Sequence, residues 1–289
     1  MLLAILAQAA EKQPIAPFTH VRDAHHLEIF ESIGWEINLY PFTKFQVFIA
    51  LAGLIVAVAM IWLAAKMRSG EPPKGKVWNL LEGLLFFVRD KIVIPAVGEH
   101  DANKYLPFLT SLFLFIFLMN LFGIFPFLPS PTAHIYVTSA LAVVTFFVIH
   151  VSGLREHGLV PYLKTFVPHV ELEGGARYMG YVLIPMMAAV EYLTAFIRVI
   201  VLSVRLFANM LAGHTVLFII LLFIKLVADP AYMLPAAEGK EWLFWPVSIF
   251  STLMVTALSL LEVFIAGLQA FIFTFLAAIY IGLAKHPPH

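Results

Sequence analysis

The sequence predicts an all-α integral membrane protein with about five transmembrane helices plus an interfacial helix, the last two spanning helices long and steeply tilted. Three observations carry that expectation. Of the 289 residues, 61% are hydrophobic and only 12% charged, about half the charged share of a soluble domain. The apolar residues gather in runs that reach the roughly 20 residues a helix needs to cross a bilayer core, where open backbone cannot be left unsatisfied. The last two runs are far longer than one perpendicular crossing requires.

Composition also removes several classes of function. Eighteen basic and eighteen acidic residues balance to zero net charge, so the electrostatic footprint of a nucleic-acid binder is missing. No cysteine is present, which rules out structural disulfides, thiolate catalysis and cysteine-ligated metal.

The chain opens on a short apolar stretch, Met1 to Ala10, in which Ala7-Gln8-Ala9 resembles a signal-peptidase site without the usual basic n-region. Cleaved or retained, that start places the N-terminus outside. Residues 1–44 form an extracytoplasmic tail bearing His20, His25, His26, Glu28 and Glu31. The first span runs from Phe45 to about Lys66 and ends in a basic Pro/Gly linker containing Arg68, Pro72, Pro73, Lys74 and Lys76. Val77 to Val97 mixes apolar residues with Glu82, Arg89, Asp90 and Lys91, which suits an interfacial or re-entrant helix. A hairpin follows, with spans from Tyr105 to Leu128 and from about Ile135 to Val151, joined through Pro126, Pro129 and Pro131. Residues 45–152 thus make up the first membrane region.

Residues 153–177, with Pro161, Pro168, Gly174 and Gly175, read as a cytoplasmic loop. Residues 178–289 form a final two-helix hairpin. Its first segment, Tyr178 to Val227, would extend about 75 Å as helix, and its second, Trp242 to about Ala284, about 60 Å. Each either hides a tight turn or crosses once at a steep tilt. Lys and Arg cluster between the first two spans and again at Arg155, Lys164 and Arg177; cytoplasmic placement of both clusters favours five single crossings, with the N-terminus outside and the C-terminus inside.

Ionisable groups deep in lipid cost a few to more than ten kcal/mol and mark function by default. Glu191, Arg198, Arg205, Asn209 and His214 lie on the first long helix; Glu262, Gln269 and Tyr280 lie on the second. Seven-residue steps return to nearly the same face, so Glu191, Arg198 and Arg205 form a stripe with Asn209 beside it. His214, nine residues after Arg205, projects from the opposite face, and Glu262, Gln269 and Tyr280 form a stripe of their own. Arg198 can serve function, or simply pair internally and snorkel to the cytoplasmic end. Arg205 lies deeper and cannot deprotonate. Its neighbours three and four residues away are Leu202, Val201, Ala208 and Asn209, none of them a carboxylate, so its counter-charge must come from another helix or another subunit. His214 and Glu262 suit proton transfer, since imidazole and a desolvated carboxyl can both titrate near neutrality.

Arg205-Leu-Phe-Ala-Asn209-Met-Leu-Ala-Gly213-His214 resembles the signature helix of the a subunit of rotary F-type ATP synthase, and Leu268-Gln269-Ala-Phe-Ile-Phe273 resembles that family's final helix. Weaker matches at Phe117 to Pro126 and Thr132 to Thr138 extend the resemblance over most of the chain from about Phe45. It implies a stator that forms two proton half-channels against a ring of c subunits, coupling proton translocation to ring rotation and ATP synthesis, with no active site of its own. Other implied partners are b-type peripheral stalk subunits, the rest of the complex, protons and membrane lipid; no cofactor, metal or nucleic acid is implied, and the implied location is a bacterial inner membrane. By the same resemblance Arg205 is the essential arginine facing the ring carboxylate, with Asn209 and Gln269 its polar neighbours. His214 and Glu262 match the pair of the extracytoplasmic half-channel, and Glu191 a carboxylate on the cytoplasmic side. Val199 stands where many members have proline, and His134 and Tyr136 where acidic and amide residues are usual.

Two other readings compete. A proton- or cation-coupled secondary transporter would place its charges near paired broken helices, but the sequence has no internal repeat. Eleven histidines raise an intramembrane metal enzyme, yet no His-Glu-x-x-His occurs and His25, His26, His134, His157, His169, His286 and His289 fall in tails, loops or helix ends.

Overall fold

The computed structural model of the chain describes residues 26–30, 35–38, 42–69, 75–124, 130–164, 177–228, 242 and 244–285. The signal-like start, the Pro72 and Pro73 linker, the turn at Pro126 and Pro129, the second half of the 153–177 loop and the loop at 229–241 lie outside these residues. Ahead of the first span, the tail contains a two-stranded antiparallel sheet, β1 (His26–Phe30) with β2 (Trp35–Asn38). His26 stands opposite Asn38, and the register shifts between Glu28 and Phe30.

Helix α1 (Lys44–Ser69) opens on a reciprocal cap. The Gln46 N–H donates to Thr43 Oγ1 at 3.4 Å, while the Thr43 N–H donates to Gln46 Oε1 at 3.1 Å, satisfying donors a helix start otherwise leaves orphaned. Lys66 and Arg68 close the last turn, where cations complement the helix dipole. The segment expected to be interfacial comprises α2 (Lys76–Val88), a π-helical turn (Arg89–Val93) and α3 (Ile94–Val97). It ends at Gly98, whose φ of +93° a side chain would resist. Helices α4 (Glu99–Ile124) and α5 (Ile135–His157) follow, the second preceded by a 3₁₀ turn at Pro131–Ala133.

The cytoplasmic loop expected at 153–177 needs correction at its start. Helix α5 continues to His157, and α6 (Leu159–Lys164) occupies the next stretch. The reason is packing that composition alone conceals. Tyr162 is buried with its ring against Gly153, where any Cβ would collide with it, and its hydroxyl lies 2.9 Å from His150 Nδ1. Burial, with a smaller effect of Tyr192, pushes the Tyr162 phenol up to about 12, so the group stays protonated and able to donate.

Helices α7 (Arg177–Ala228) and α8 (Phe244–Lys285) run 52 and 42 residues without interruption, about 78 and 63 Å at 1.5 Å per residue. Hidden turns are thereby excluded; Pro185 sits within α7 without ending it. Five of the described helices, α1, α4, α5, α7 and α8, are long and apolar enough to cross a membrane. The protein is an integral, multi-pass membrane protein.

The chain divides into two compact units. The larger, residues 51–118, 135–207 and 268–289, has a core built on Val88, Ile92, Leu109, Ile116, Leu202, Leu206, Phe273 and Ile281. Along the end of α8, Ala270, Phe273, Ala277 and Ile281 recur at three- and four-residue steps and are fully buried, the stripe expected of a helix packed on one side. Small residues there let backbones approach, most closely at Gly282, where a Cβ would collide with the Ala96 carbonyl of α3. The last residue of α8 is clamped as well. Lys285 Nζ, buried, pairs with Asp101 and, at 3.2 Å, with Glu156, while His157 Nε2 lies 2.8 Å from the Lys285 carbonyl oxygen.

Gly282→Val should therefore force α8 from α3 and lower the stability of the detergent-solubilised protein by about 1–3 kcal/mol, as overpacking does. An unchanged midpoint in thermal or SDS unfolding would show that the α3 backbone yields without strain.

Candidate functional site

In the larger unit, one face of α7 is held against the core and sets the direction of its charged residues. Leu202, Ser203 and Leu206 are buried, whereas Val201 and Val204 are exposed. Ser203 Oγ lies 3.2 Å from Thr138 Oγ1 and 3.0 Å from Ser139 Oγ on α5, hydroxyl contacts of the kind that fix helix pairs in lipid. Two residues beyond this anchor, Arg205 is partly buried at the margin of the exposed apolar face. Among the described residues it makes no ion pair, and no carboxylate lies within 4.0 Å of it. The exposed face beside Arg205 continues along α7 through Val190, Leu193, Ile197, Ile200, Val201 and Val204.

One and two heptads earlier on the same stripe, Arg198 and Glu191 do meet, with Nη2 3.9 Å from Oε1. The Arg198 guanidinium also lies over the Tyr280 ring, 5.2 Å from its centroid. The internal pairing left open for Arg198 is thus made, in two directions at once. Gln269 is buried, 4% exposed, and Tyr280 is packed at the edge of the core.

The smaller unit, residues 1–50, 119–134 and 208–267, contains His214 and Glu262. A glycine stands against each of them. A Cβ on Gly213 would stand 2.6 Å from Glu262 Oε1, so the carboxylate rests against the backbone next to His214. A Cβ on Gly123 would stand 2.5 Å from Ser130 Oγ, 2.5 Å from Met210 Cε and 3.0 Å from His214 Nε2. Asn120 Nδ2 donates to the Ala266 carbonyl at 3.4 Å. Asn209 points outward, exposed.

The smaller unit buries polar atoms beyond the pair expected from the sequence. Asn120 Oδ1, Ser130 Oγ, Thr132 Oγ1, Ser248 Oγ and both carboxylate oxygens of Glu262 are buried with no hydrogen-bond partner among the described residues. Buried polar atoms are rarely left unpaired, and bound water commonly supplies a missing partner. Sequence reasoning assigned no role to Asn120, Ser130, Thr132 or Ser248. Asn120 and Thr132 had appeared within matched motifs, but Ser130 between two prolines reads only as turn chemistry.

A family model described as "ATP synthase A chain" matches residues 46–282. The chain is similar to ATP synthase subunit a of Myxococcus xanthus, 36% identical over 247 residues, with 86% of this chain and 74% of the relative covered. It is also similar to subunit a of Parvibaculum lavamentivorans, 36% identical over 235 residues with 81% and 82% covered. With subunit a of Chloroherpeton thalassium it shares 34% identity over 284 residues, covering 93% of this chain and 77% of the relative.

The contact of Arg198 with Tyr280 should appear in a double-mutant cycle. Arg198→Gln and Tyr280→Leu, alone and together, should give a coupling in SDS unfolding of about 0.5–1 kcal/mol. Additive effects would show that the stacking contributes nothing to stability.

Proposed function

The chain belongs to the ATP synthase A chain family and is the a subunit of the membrane stator; from that premise we propose a role for each of its intramembrane polar groups. Arg205 faces the carboxylate of each passing c subunit. The observation that carries this is the missing counter-ion: a permanently charged side chain bordering an exposed apolar face with no carboxylate beside it among the described residues. A guanidinium stabilises a carboxylate anion and lowers its pKa. A protonated ring carboxyl arriving at Arg205 therefore releases its proton, and the fixed positive charge repels any proton attempting to pass directly. Asn209 and Gln269 supply polar flanks for this exchange.

His214 and Glu262 serve the inlet half-channel. The Gly123 backbone lets the His214 imidazole and the Ser130 hydroxyl approach the same point, the Gly213 backbone receives the Glu262 carboxylate, and the unpartnered oxygens of Ser130 and Glu262 among the described residues support a hydrated route. Glu191 takes protons toward the outlet, with Arg198 and Tyr280 beside it. Two routes that do not join oblige each proton to ride the ring between them, which couples translocation to rotation and ATP synthesis.

The outward face of α7 docks against the c-ring, and b-type stalk subunits complete the stator. The setting is a bacterial inner membrane, with residues 1–44 outside, the 153–177 segment and the C-terminus in the cytoplasm, and 178–289 forming the channel hairpin. The distribution of Lys and Arg supports this orientation.

Arg205→Ala should lower proton-driven ATP synthesis in reconstituted vesicles by about 100-fold or more, the scale on which a preorganised charge acts, while a ring of small proteolipids still co-purifies. Normal synthesis in that variant would remove Arg205 from the mechanism. His214→Ala should slow passive proton flux and shift its pH profile, and an unaltered profile would take the histidine out of the route.

A further inference from the structure

We propose that Ser130 is a proton-relay residue of the inlet route, passing protons through bound water to the neighbourhood of His214. The proposal rests on the inlet assignment of His214 and Glu262, and it adds a group that neither the sequence motifs nor the family's name singles out.

The local backbone shows what the hydroxyl is not doing. Ser130 precedes the 3₁₀ turn at Pro131–Ala133, and its carbonyl accepts the Ala133 N–H at 3.1 Å, so the main chain is held. A serine in this place ordinarily turns its hydroxyl onto the backbone as a cap. Here no side-chain cap bond forms. The residue is 3% exposed, and Oγ is buried without a hydrogen-bond partner among the described residues. A buried hydroxyl left so is destabilising, and a water molecule at this position relieves it.

The direction of the hydroxyl shows what it can do. Oγ lies 2.5 Å and His214 Nε2 3.0 Å from the one point above the Gly123 Cα where a Cβ would stand. The two atoms are therefore no more than two hydrogen-bond lengths apart, the span one water bridges. One turn before Gly123, Asn120 donates its amide N–H to the Ala266 carbonyl, and its Oδ1 is buried without a hydrogen-bond partner among the described residues. A serine hydroxyl donates one hydrogen bond and accepts two. As it takes a proton from the water behind, it gives its own to the acceptor ahead and ends neutral. The missing side chain at Gly123 lets the two atoms approach this closely, with Met210 Cε beside them.

The test is passive proton flux through the whole reconstituted complex, with pH varied on each side of the membrane separately. Ser130→Ala should slow flux about five- to tenfold, the worth of one hydrogen bond, and shift the inlet-side pH profile alone. Ser130→Thr, which retains the hydroxyl, should restore flux to within about twofold. Gly123→Ala, which fills the gap, should slow flux as Ser130→Ala does, and ring co-purification with ATP hydrolysis verifies assembly of each variant. Undiminished flux in Ser130→Ala, beside slowed flux in His214→Ala, overturns the role of Ser130 and spares the inlet. Undiminished flux in both overturns the inlet assignment itself. Slowed flux with no rescue by threonine and no shift of the inlet profile assigns Ser130 to packing and overturns the relay.

Discussion

A guanidinium in lipid keeps its charge at every physiological pH, and an ion there is tolerated only beside an opposite charge or a route to water. The fold meets that constraint for Arg198, which has Glu191 and the Tyr280 ring beside it. It leaves Arg205 without a described carboxylate. The difference between two arginines seven residues apart on one helix organises the functional interpretation. One is satisfied within the chain; the other has no carboxylate beside it among the described residues.

Holding such a charge in place requires a helix that cannot roll. The buried face of α7 supplies this through Leu202, Leu206 and the hydroxyls of Ser203, Thr138 and Ser139. The end of α8 is fixed by small residues and by Gly282 against Ala96, and its last residue by the ion pairs of Lys285 with Asp101 and Glu156. Without a hydrophobic drive between helices in lipid, close packing and polar contacts of this kind are what remain to position them.

The smaller unit is organised by the opposite need. Glycine at 123 withholds a side chain where a histidine and a serine approach, and glycine at 213 where a carboxylate does. Several buried oxygens of this unit have no hydrogen-bond partner among the described residues. Such an arrangement costs stability, since buried polar atoms are normally paired.

How much of this was legible in the chain of letters depends on the range of the interaction concerned. Hydropathy, which is local, determined the apolar runs, and the placement of Lys and Arg favoured five single crossings over hidden hairpins in residues 178–227 and 242–284. Heptad spacing determined that Glu191, Arg198 and Arg205 share a stripe and that His214 faces away. Contacts between residues far apart in the chain were not legible, because no local pattern encodes them: Tyr162 folding α6 onto Gly153, Tyr280 receiving Arg198, and Ser130 turning from its cap toward Gly123. The sequence by itself thus determined which charges must enter the membrane and on which faces. Only the tertiary structure decided which of them find partners, since pairing in lipid depends on the packed approach of separate helices.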